Sequence, residues 1–281
     1  YQHGKYRFCH DGRATTEGIC LNDLVIGDLN MMVPLMDPIN NLRSYIYAFS
    51  SDIEAFFHTI RVQPEDRGAF RFLWYDDEEM KSLRTYLFLA YIFGSSCSPT
   101  VTAFTLRRHS ENLEGLFSQK VRDIIRHYFY VDDGTGGDNT LEGCMRLCKE
   151  LDEAMAVGGF ALSKWKYSSP EIAKWREKGQ EEEQEEEQKI LGVVWNTKKD
   201  KLSVAIDEEK YKEEAATPRH VVQQQAALFD PLGIVAPFHL LGRQWTQKTM
   251  EGRWGWDLEI REEVKIGFNE WTNSIVELKD L

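Results

Sequence analysis

No stretch of the 281-residue chain reaches about eighteen consecutive apolar residues, which excludes a hydrophobic membrane-spanning helix. The start, Tyr1-Gln2-His3-Gly4-Lys5, lacks methionine and shows no signal peptide. It reads as the cut edge of something longer, and secretion is not expected. Cysteine is scarce. Cys9, Cys20, Cys97, Cys144 and Cys148 are odd in number and have no framework spacing, so reduced thiols in an intracellular setting are expected rather than a disulfide scaffold. Positive charge is in deficit. The formal net charge of −12 argues superficially against nucleic acid, but the run EEEQEEEQ at 181–188 supplies six of the negative charges. That run reads as a solvated loop, and a basic channel can coexist with an acidic average. No internal repeat is present.

What the chain does have is 42% hydrophobic and 12% aromatic residues, enough for a sizeable core. Strand candidates are Lys5–His10, Ile46–Ile53, Ala69–Tyr75, Thr85–Phe93 and His127–Val131, with Phe160–Tyr167 extended. The segment 190–205 predicts a hairpin around Asn196–Asp200. Asn22–Pro38 is turn-rich. Helices are predicted over Glu54–Ile60, from Ser98 to about Leu113, over Thr140–Val157, and over most of 218–281 with a DPLG turn at Asp230–Gly233. The irregular alternation predicts an α+β fold. Cys144 and Cys148 could form half a metal site. Leu141, Cys144, Cys148, Leu151 and Met155 instead make one apolar stripe at helical spacing, which reads as core.

The chemistry is concentrated in YFYVDDGTGGDN at 128–139, where two adjacent carboxylates end an apolar run. Like charges side by side are costly unless something neutralises them. Asp52, in AFSSDIEAFFHTI, also ends an apolar strand. Three aspartates at the ends of adjacent strands would form an anionic cluster that divalent cations neutralise. Two Mg²⁺ ions about 3.5–4 Å apart are the arrangement that clamps phosphoryl transfer. Common turn chemistry is the plainer reading of Asp-Asp-Gly. A helix–loop calcium site is disfavoured, because a strand precedes Asp132, glycines stand at the third and fifth loop positions, and Glu142 falls at the eleventh rather than the twelfth.

YVDD (Tyr130–Asp133) resembles the catalytic box of reverse transcriptases, SDIEAFFHTI their first acidic motif, and FGSSCSPT (Phe93–Thr100) their glycine and Ser-Pro motif. The likeness is nearest to BEL/Pao-type retrotransposon polymerases. It extends through KYRFCHDGR (Lys5–Arg13), LND (Leu21–Asp23), GGFALSKW (Gly158–Trp165), KILGVVW (Lys189–Trp195) and FDPLGIVAP (Phe229–Pro237), and so covers nearly the whole chain. The resemblance implies a right-hand polymerase fold with an antiparallel palm sheet backed by helices. Fingers would comprise 1–44 and 61–93, and palm 45–60 and 94–205, with an acidic insertion at 177–188. A mostly helical thumb or connection would comprise 206–281.

The resemblance further implies that Asp52, Asp132 and Asp133 are catalytic, and that with the backbone carbonyl of Ile53 they hold two Mg²⁺ ions, Mn²⁺ being a substitute. Lys5, Arg7, Phe57, Phe93, Gly94 and Lys164 would serve the nucleotide. Phe57 would be the gate against a 2′-hydroxyl, with Phe56 in the core. Lys164 would be a general acid for pyrophosphate, with Lys166 competing for that role. Tyr130, Leu191 and Gly192 would contact the primer. Implied partners are an RNA or DNA template, a DNA primer and deoxynucleoside triphosphates, with no membrane. Protease, ribonuclease H and integrase domains are expected elsewhere on a parent polyprotein, in the cytoplasm and within virus-like particles, since the segment shows no signature of them. Departures from the family pattern point to a second reading, a decayed or domesticated remnant that folds without polymerising. These are the acidic run, FCHDGR where the family has a more aliphatic strand, and the glycines of GTGGD, which are expected to loosen the hairpin.

Overall fold

The segment YAFSSDI forms an inner strand of the main sheet and is buried on both faces except at half-buried Tyr47 and Asp52. The computed structural model describes residues 9–25, 29–76, 79, 81–176, 186–251, 255–275, 277 and 278. The chain divides into two compact units, Tyr1–Gln180 and Glu181–Leu281.

The first unit contains, in order, α1 (Leu21–Leu24), α2 (Met36–Arg43), β1 (Tyr47–Ile53), α3 (Phe56–Thr59), β2 (Arg71–Tyr75), β3 (Leu83–Leu87), α4 (Ser98–Asn112), α5 (Gln119–His127), β4 (Phe129–Tyr130), β5 (Asp133–Asp138), α6 (Leu141–Val157), β6 (Leu162–Tyr167) and α7 (Pro170–Arg176). Its main sheet has the order β4-β5-β1-β6 and is antiparallel throughout. β2 and β3 form a separate ribbon. α6 starts where Thr140 Oγ1 accepts the Gly143 N–H at 3.1 Å, an N-cap, and ends at Gly158-Gly159 as its sequence predicts. Its buried stripe of Cys144, Leu147, Cys148, Leu151 and Met155 packs with Phe49, Ile53, Ile124 and Phe160. Both cysteines are therefore core.

β5 is an inner strand half of whose residues are glycine, which propensity alone disfavours. The glycines do not loosen it. A methyl at Gly136 would sit 2.5 Å from the Phe49 ring, one at Gly137 would sit 2.5 Å from the Tyr47 carbonyl, and one at Gly134 would overlap the Phe129 ring. The missing side chains are the space that aromatic neighbours fill, and those rings supply the burial that stabilises the strand. On the other face α2 is tied down by Asn41, whose Nδ2 donates to the Thr135 carbonyl at 2.9 Å, while Thr135 Oγ1 donates to the Pro38 carbonyl at 2.7 Å.

Several boundaries differ from expectation. The turn-rich stretch 22–38 ends in a helix, since Met36–Pro38 form the first residues of α2. β3 ends at Leu87, and Phe93 makes only a single bridge with Cys9. Residues 119–127 are helix, leaving only Phe129–Tyr130 as strand before the aspartates. α7 is an additional helix. Lys5, Tyr6, Arg7 and Phe8 lie outside the described residues.

The second unit contains β7 (Glu187–Ile190), β8 (Val193–Asn196), β9 (Lys201–Val204), α8 (Pro218–Ala227), α9 (Ala236–Met250) and α10 (Glu262–Asn273). The three strands form an antiparallel meander. The expected hairpin is β8–β9. β7 is a further strand that begins inside the acidic run, of which 177–185 lie outside the described residues. Val204, Val221, Leu228, Phe268, Trp271 and Ile275 form the core of this unit. Asp230 caps the approach to α9, its carboxylate accepting the Ile234 and Val235 N–H groups at 3.0 and 2.8 Å, which makes DPLG a structural turn. The chain is thus a mixed α+β protein with antiparallel sheets. Among the described residues no helix is long and apolar enough to cross a membrane.

Candidate active site

Asp52 on β1 and Asp133 on β5 are direct antiparallel partners. Such partners project onto one face of a sheet, with Cβ atoms about 4.5–5.5 Å apart. Asp133 also pairs with Tyr130 of β4, so Val131 and Asp132 form a two-residue turn. Val131 has φ +58°, left-handed backbone for a β-branched residue, a conformation that costs about 1–3 kcal/mol and gathers at functional sites. The turn is fastened to β1, because the Ile53 N–H donates to the Asp132 carbonyl at 2.9 Å. Two adjacent carboxylates are thereby carried to the end of the strand that bears the third. Asp-Asp-Gly does use turn chemistry, but Asp133 itself is a sheet residue.

The electrostatics follow from this crowding. Burial, then the charge of Asp132, then that of Asp52, push the Asp133 carboxyl up to about 6, against the opposing pull of Lys166 and Lys164. Lys164 Nζ stands 2.7 Å from Asp52 Oδ2. That hydrogen bond, foremost, raises the lysine's pKa above its ordinary value. The more buried Lys166 is lowered, chiefly by desolvation. A β-bulge between Ser50 and Asp52 breaks the β1–β6 register at this point, and Lys164 has φ +49°. Of the two candidate lysines, Lys164 is the one that the structure brings to Asp52.

Among the described residues no three His, Cys, Asp or Glu side chains are grouped closely enough to hold a metal ion. Lys164 is a counter-ion of Asp52. The donors present are carboxylate oxygens, the ligand type that Mg²⁺ and Mn²⁺ prefer, and Asp133 is under-neutralised. In donor type Asp52 and Asp133 match a hard divalent cation, although among the described residues they do not by themselves group into a metal site.

Phe56 and Phe57 separate as helical geometry requires. Phe56 is buried edge-on against Phe160, with centroids 5.5 Å apart. Phe57 is half-buried and meets Phe93 edge-on at 4.9 Å. Gly94 has φ +106°, and a side chain there would overlap the His10 carbonyl oxygen, so the close approach it permits is to the chain's own backbone. Tyr130 is half-buried beside the turn. Leu191 (φ +51°) and Gly192 (φ +86°) belong to the second unit, where they form the two-residue turn joining β7 and β8. A side chain at Gly192 would overlap the Phe229 ring. Sequence reasoning assigned no task to Asn22 of the LND motif. Its side chain binds the Gly94–Ser96 segment, a contact between residues so far apart in sequence that no local pattern signals it.

A family model described as Pao retrotransposon-like RNaseH-like domain matches residues 217–281. This corrects the expectation that the segment carries no ribonuclease H signature, although the matched region is α8, α9 and α10, with no strand among its described residues. No curated protein matches the chain. The structure of the foamy viral protease-reverse transcriptase dRH in complex with double-stranded DNA is similar, with TM-score 0.62 and 14% identity over 99% of this chain and 42% of that one. The foamy viral protease-reverse transcriptase with an RNA/DNA hybrid gives 0.60 and 13% over 92% of this chain and 31% of that one. The same protein with double-stranded DNA gives 0.55 and 13% over 90% and 46%. The chain spans less than half the length of these structures, and at such identities the likeness is one of fold.

Proposed function

We propose that the first unit carries the polymerase site of a retroelement Pol protein, which extends a DNA primer on an RNA or DNA template. The observation that carries this reading is the Asp52–Asp133 strand pairing, with Asp132 tied beside it by the Ile53 N–H. Asp52, Asp132 and Asp133, with the Ile53 carbonyl, would hold two Mg²⁺ ions. When bound, such ions acidify a primer 3′-hydroxyl and neutralise charge on the triphosphate and leaving pyrophosphate. The chain's own groups do the rest. Phe57, backed by Phe93, forms a flat wall against the sugar. Lys164 Nζ, held protonated, donates its proton to the pyrophosphate after it leaves Asp52. Tyr130 lies on the primer side of the turn, and Leu191 and Gly192 shape a primer-contacting hairpin. Lys5 and Arg7 would grip the triphosphate.

In this reading 1–44 and 61–93 are fingers, 45–60 and 94–205 are palm, and 206–281 is thumb or connection, within a cytoplasmic, particle-forming polyprotein. Contacts with template and primer would run largely through phosphates and weaken with salt. The compensated packing of the glycine strand supports an intact site over a decayed remnant.

The match over 217–281 favours a second reading, in which the second unit is a nucleic-acid-processing, RNase H-like module. Against it, the described elements of that region are the helices α8, α9 and α10, with no strand among them.

Primer extension on poly(rA)/oligo(dT) with Mg²⁺ or Mn²⁺ tests the proposal. Incorporation is expected for the wild type and lost in Asp132→Asn and Asp133→Asn. A wild-type chain that binds primer–template and adds nothing is a remnant. Release of labelled RNA fragments from a hybrid, surviving Asp133→Asn, points to the second reading.

A further inference from the structure

Three segments distant in sequence meet at Asn22. Its Oδ1 accepts the Ser96 N–H at 2.9 Å, its Nδ2 donates to the Gly94 carbonyl at 3.3 Å, and its own backbone N–H donates to the Gly12 carbonyl at 3.0 Å. The side-chain amide thus satisfies one donor and one acceptor of the 94–96 backbone, as a paired strand would. Glycine is required on both sides. A methyl at Gly12 would lie 2.5 Å from the Gly94 carbonyl oxygen and 2.8 Å from Asn22 Nδ2, and one at Gly94 would overlap His10. Asn22 is itself held, because Asp23 accepts the Cys20 N–H at 3.0 Å at the start of α1.

The clamped segment begins next to Phe93. That residue is bridged to Cys9, its carbonyl accepts the His10 N–H at 2.9 Å, and its ring abuts Phe57 at 4.9 Å and His58 at 5.7 Å. Phe57 stands on α3, directly after the strand that carries Asp52. The chain of contact therefore runs from Asn22 through the 94–96 backbone and Phe93 to Phe57.

We propose that Asn22 is a positioning residue for nucleotide selection. It fixes the 94–96 segment so that Phe93 holds Phe57 against the sugar of the incoming nucleotide. This inference rests on the polymerase reading. Asn22 touches none of the three aspartates in this scheme, so its removal acts on nucleotide binding and choice rather than on the chemical step.

Asn22→Asp tests this with shape preserved, since the carboxylate keeps the acceptor for Ser96 but faces the Gly94 carbonyl with a second acceptor. In full-chain primer extension, KM for deoxynucleotides should rise about tenfold with kcat within about twofold, the scale of one lost hydrogen bond plus one unsatisfied carbonyl. The preference for deoxy- over ribonucleotides should fall by a similar factor. Asn22→Ala should do the same and make the Ser96 amide exchange faster. In a Phe57→Ala background, Asn22→Asp should add little further loss of preference. Wild-type extension with KM and sugar preference unmoved by Asn22→Asp overturns the inference and leaves the polymerase reading standing. Ser96 exchange unchanged in Asn22→Ala also overturns it. No extension by the wild type overturns the polymerase reading, and the sugar-selecting task of Asn22 with it.

Discussion

Lys164 Nζ lies 2.7 Å from Asp52 Oδ2, across the edge of a sheet whose next strand presents Asp133 to the same aspartate. Asp52 thus has a cation on one side and an anion on the other. An ammonium and a divalent ion cannot both occupy Asp52 Oδ2. Lys164→Met is therefore expected to lower the Mg²⁺ concentration for half-maximal primer extension. The lysine is largely exposed, so the pair contributes only about 1 kcal/mol and the shift should be roughly fivefold. Maximal rate should fall at the same time if Lys164 is, as proposed, the proton donor to pyrophosphate. A Mg²⁺ titration of both chains separates the two effects, and an unchanged midpoint counts against the competition.

Asp133 is expected to trade stability for function. Its folded-state pKa, about 6, stands above the unfolded value, so its contribution favours the fold fully at low pH and is lost as pH rises through about 6. In chelated buffer, thermal stability should decline between about pH 4 and pH 7, and Asp133→Asn should remove that decline and melt higher than wild type at pH 7. The same substitution should abolish extension. Added Mg²⁺ should raise the melting temperature of wild type and not that of the variant, since only an intact ligand set links metal binding to folding. Differential scanning fluorimetry across pH, with and without Mg²⁺, checks all three outcomes.

Gly136 should resist even alanine. The added methyl would meet the Phe49 ring at 2.5 Å and Ile124 Cδ1 at 2.9 Å, both deep in the core. Overpacking of this kind costs about 1–3 kcal/mol. Phe49→Leu alone should destabilise by leaving a cavity, but combined with Gly136→Ala it should recover part of the loss. Chemical denaturation of the two single variants and the double variant measures the coupling, and strict additivity would refute the packing account.

That strand also marks the limit of what the sequence discloses. Acidic residues ending apolar runs pointed to Asp52, Asp132 and Asp133 as candidates, the stripe of Cys144, Cys148, Leu151 and Met155 identified α6, and helical facing separated Phe56 from Phe57. Each of these is a local signal. The fitness of β5 was not legible, because the rings that complete Gly134, Gly136 and Gly137 come from Phe129, Phe49 and Tyr45 on other segments. Lys164 and Lys166 share one strand face, so alternation could not choose between them. The bulge opposite, which depends on pairing with β1, brings Lys164 to Asp52. β7 was hidden because it starts within an acidic run whose composition reads as loop. Asn22 acts only through long-range backbone contacts, which composition and spacing do not encode.

The neighbouring phenylalanines give a paired test of site against core. Phe56 is 3% exposed and packs on Phe160, so Phe56→Ala should destabilise the first unit by about 3–5 kcal/mol through a cavity. Phe57 is half-buried and touches Phe93 at its edge, so Phe57→Ala should cost far less stability. The consequences for nucleotide choice should be reversed. Removing the Phe57 ring opens the wall toward the sugar, and discrimination against ribonucleotides should fall at least tenfold, about 1.4 kcal/mol of differential transition-state binding. Phe56→Ala, assayed at a temperature where it remains folded, should keep wild-type discrimination at reduced specific activity. Single-nucleotide incorporation with dTTP and UTP on poly(rA)/oligo(dT), run beside a denaturation curve for each variant, reads both axes at once. If Phe56→Ala relaxed sugar choice and Phe57→Ala did not, the wall would have to be sought on the buried face of α3, and the Phe57–Phe93 contact would be packing alone.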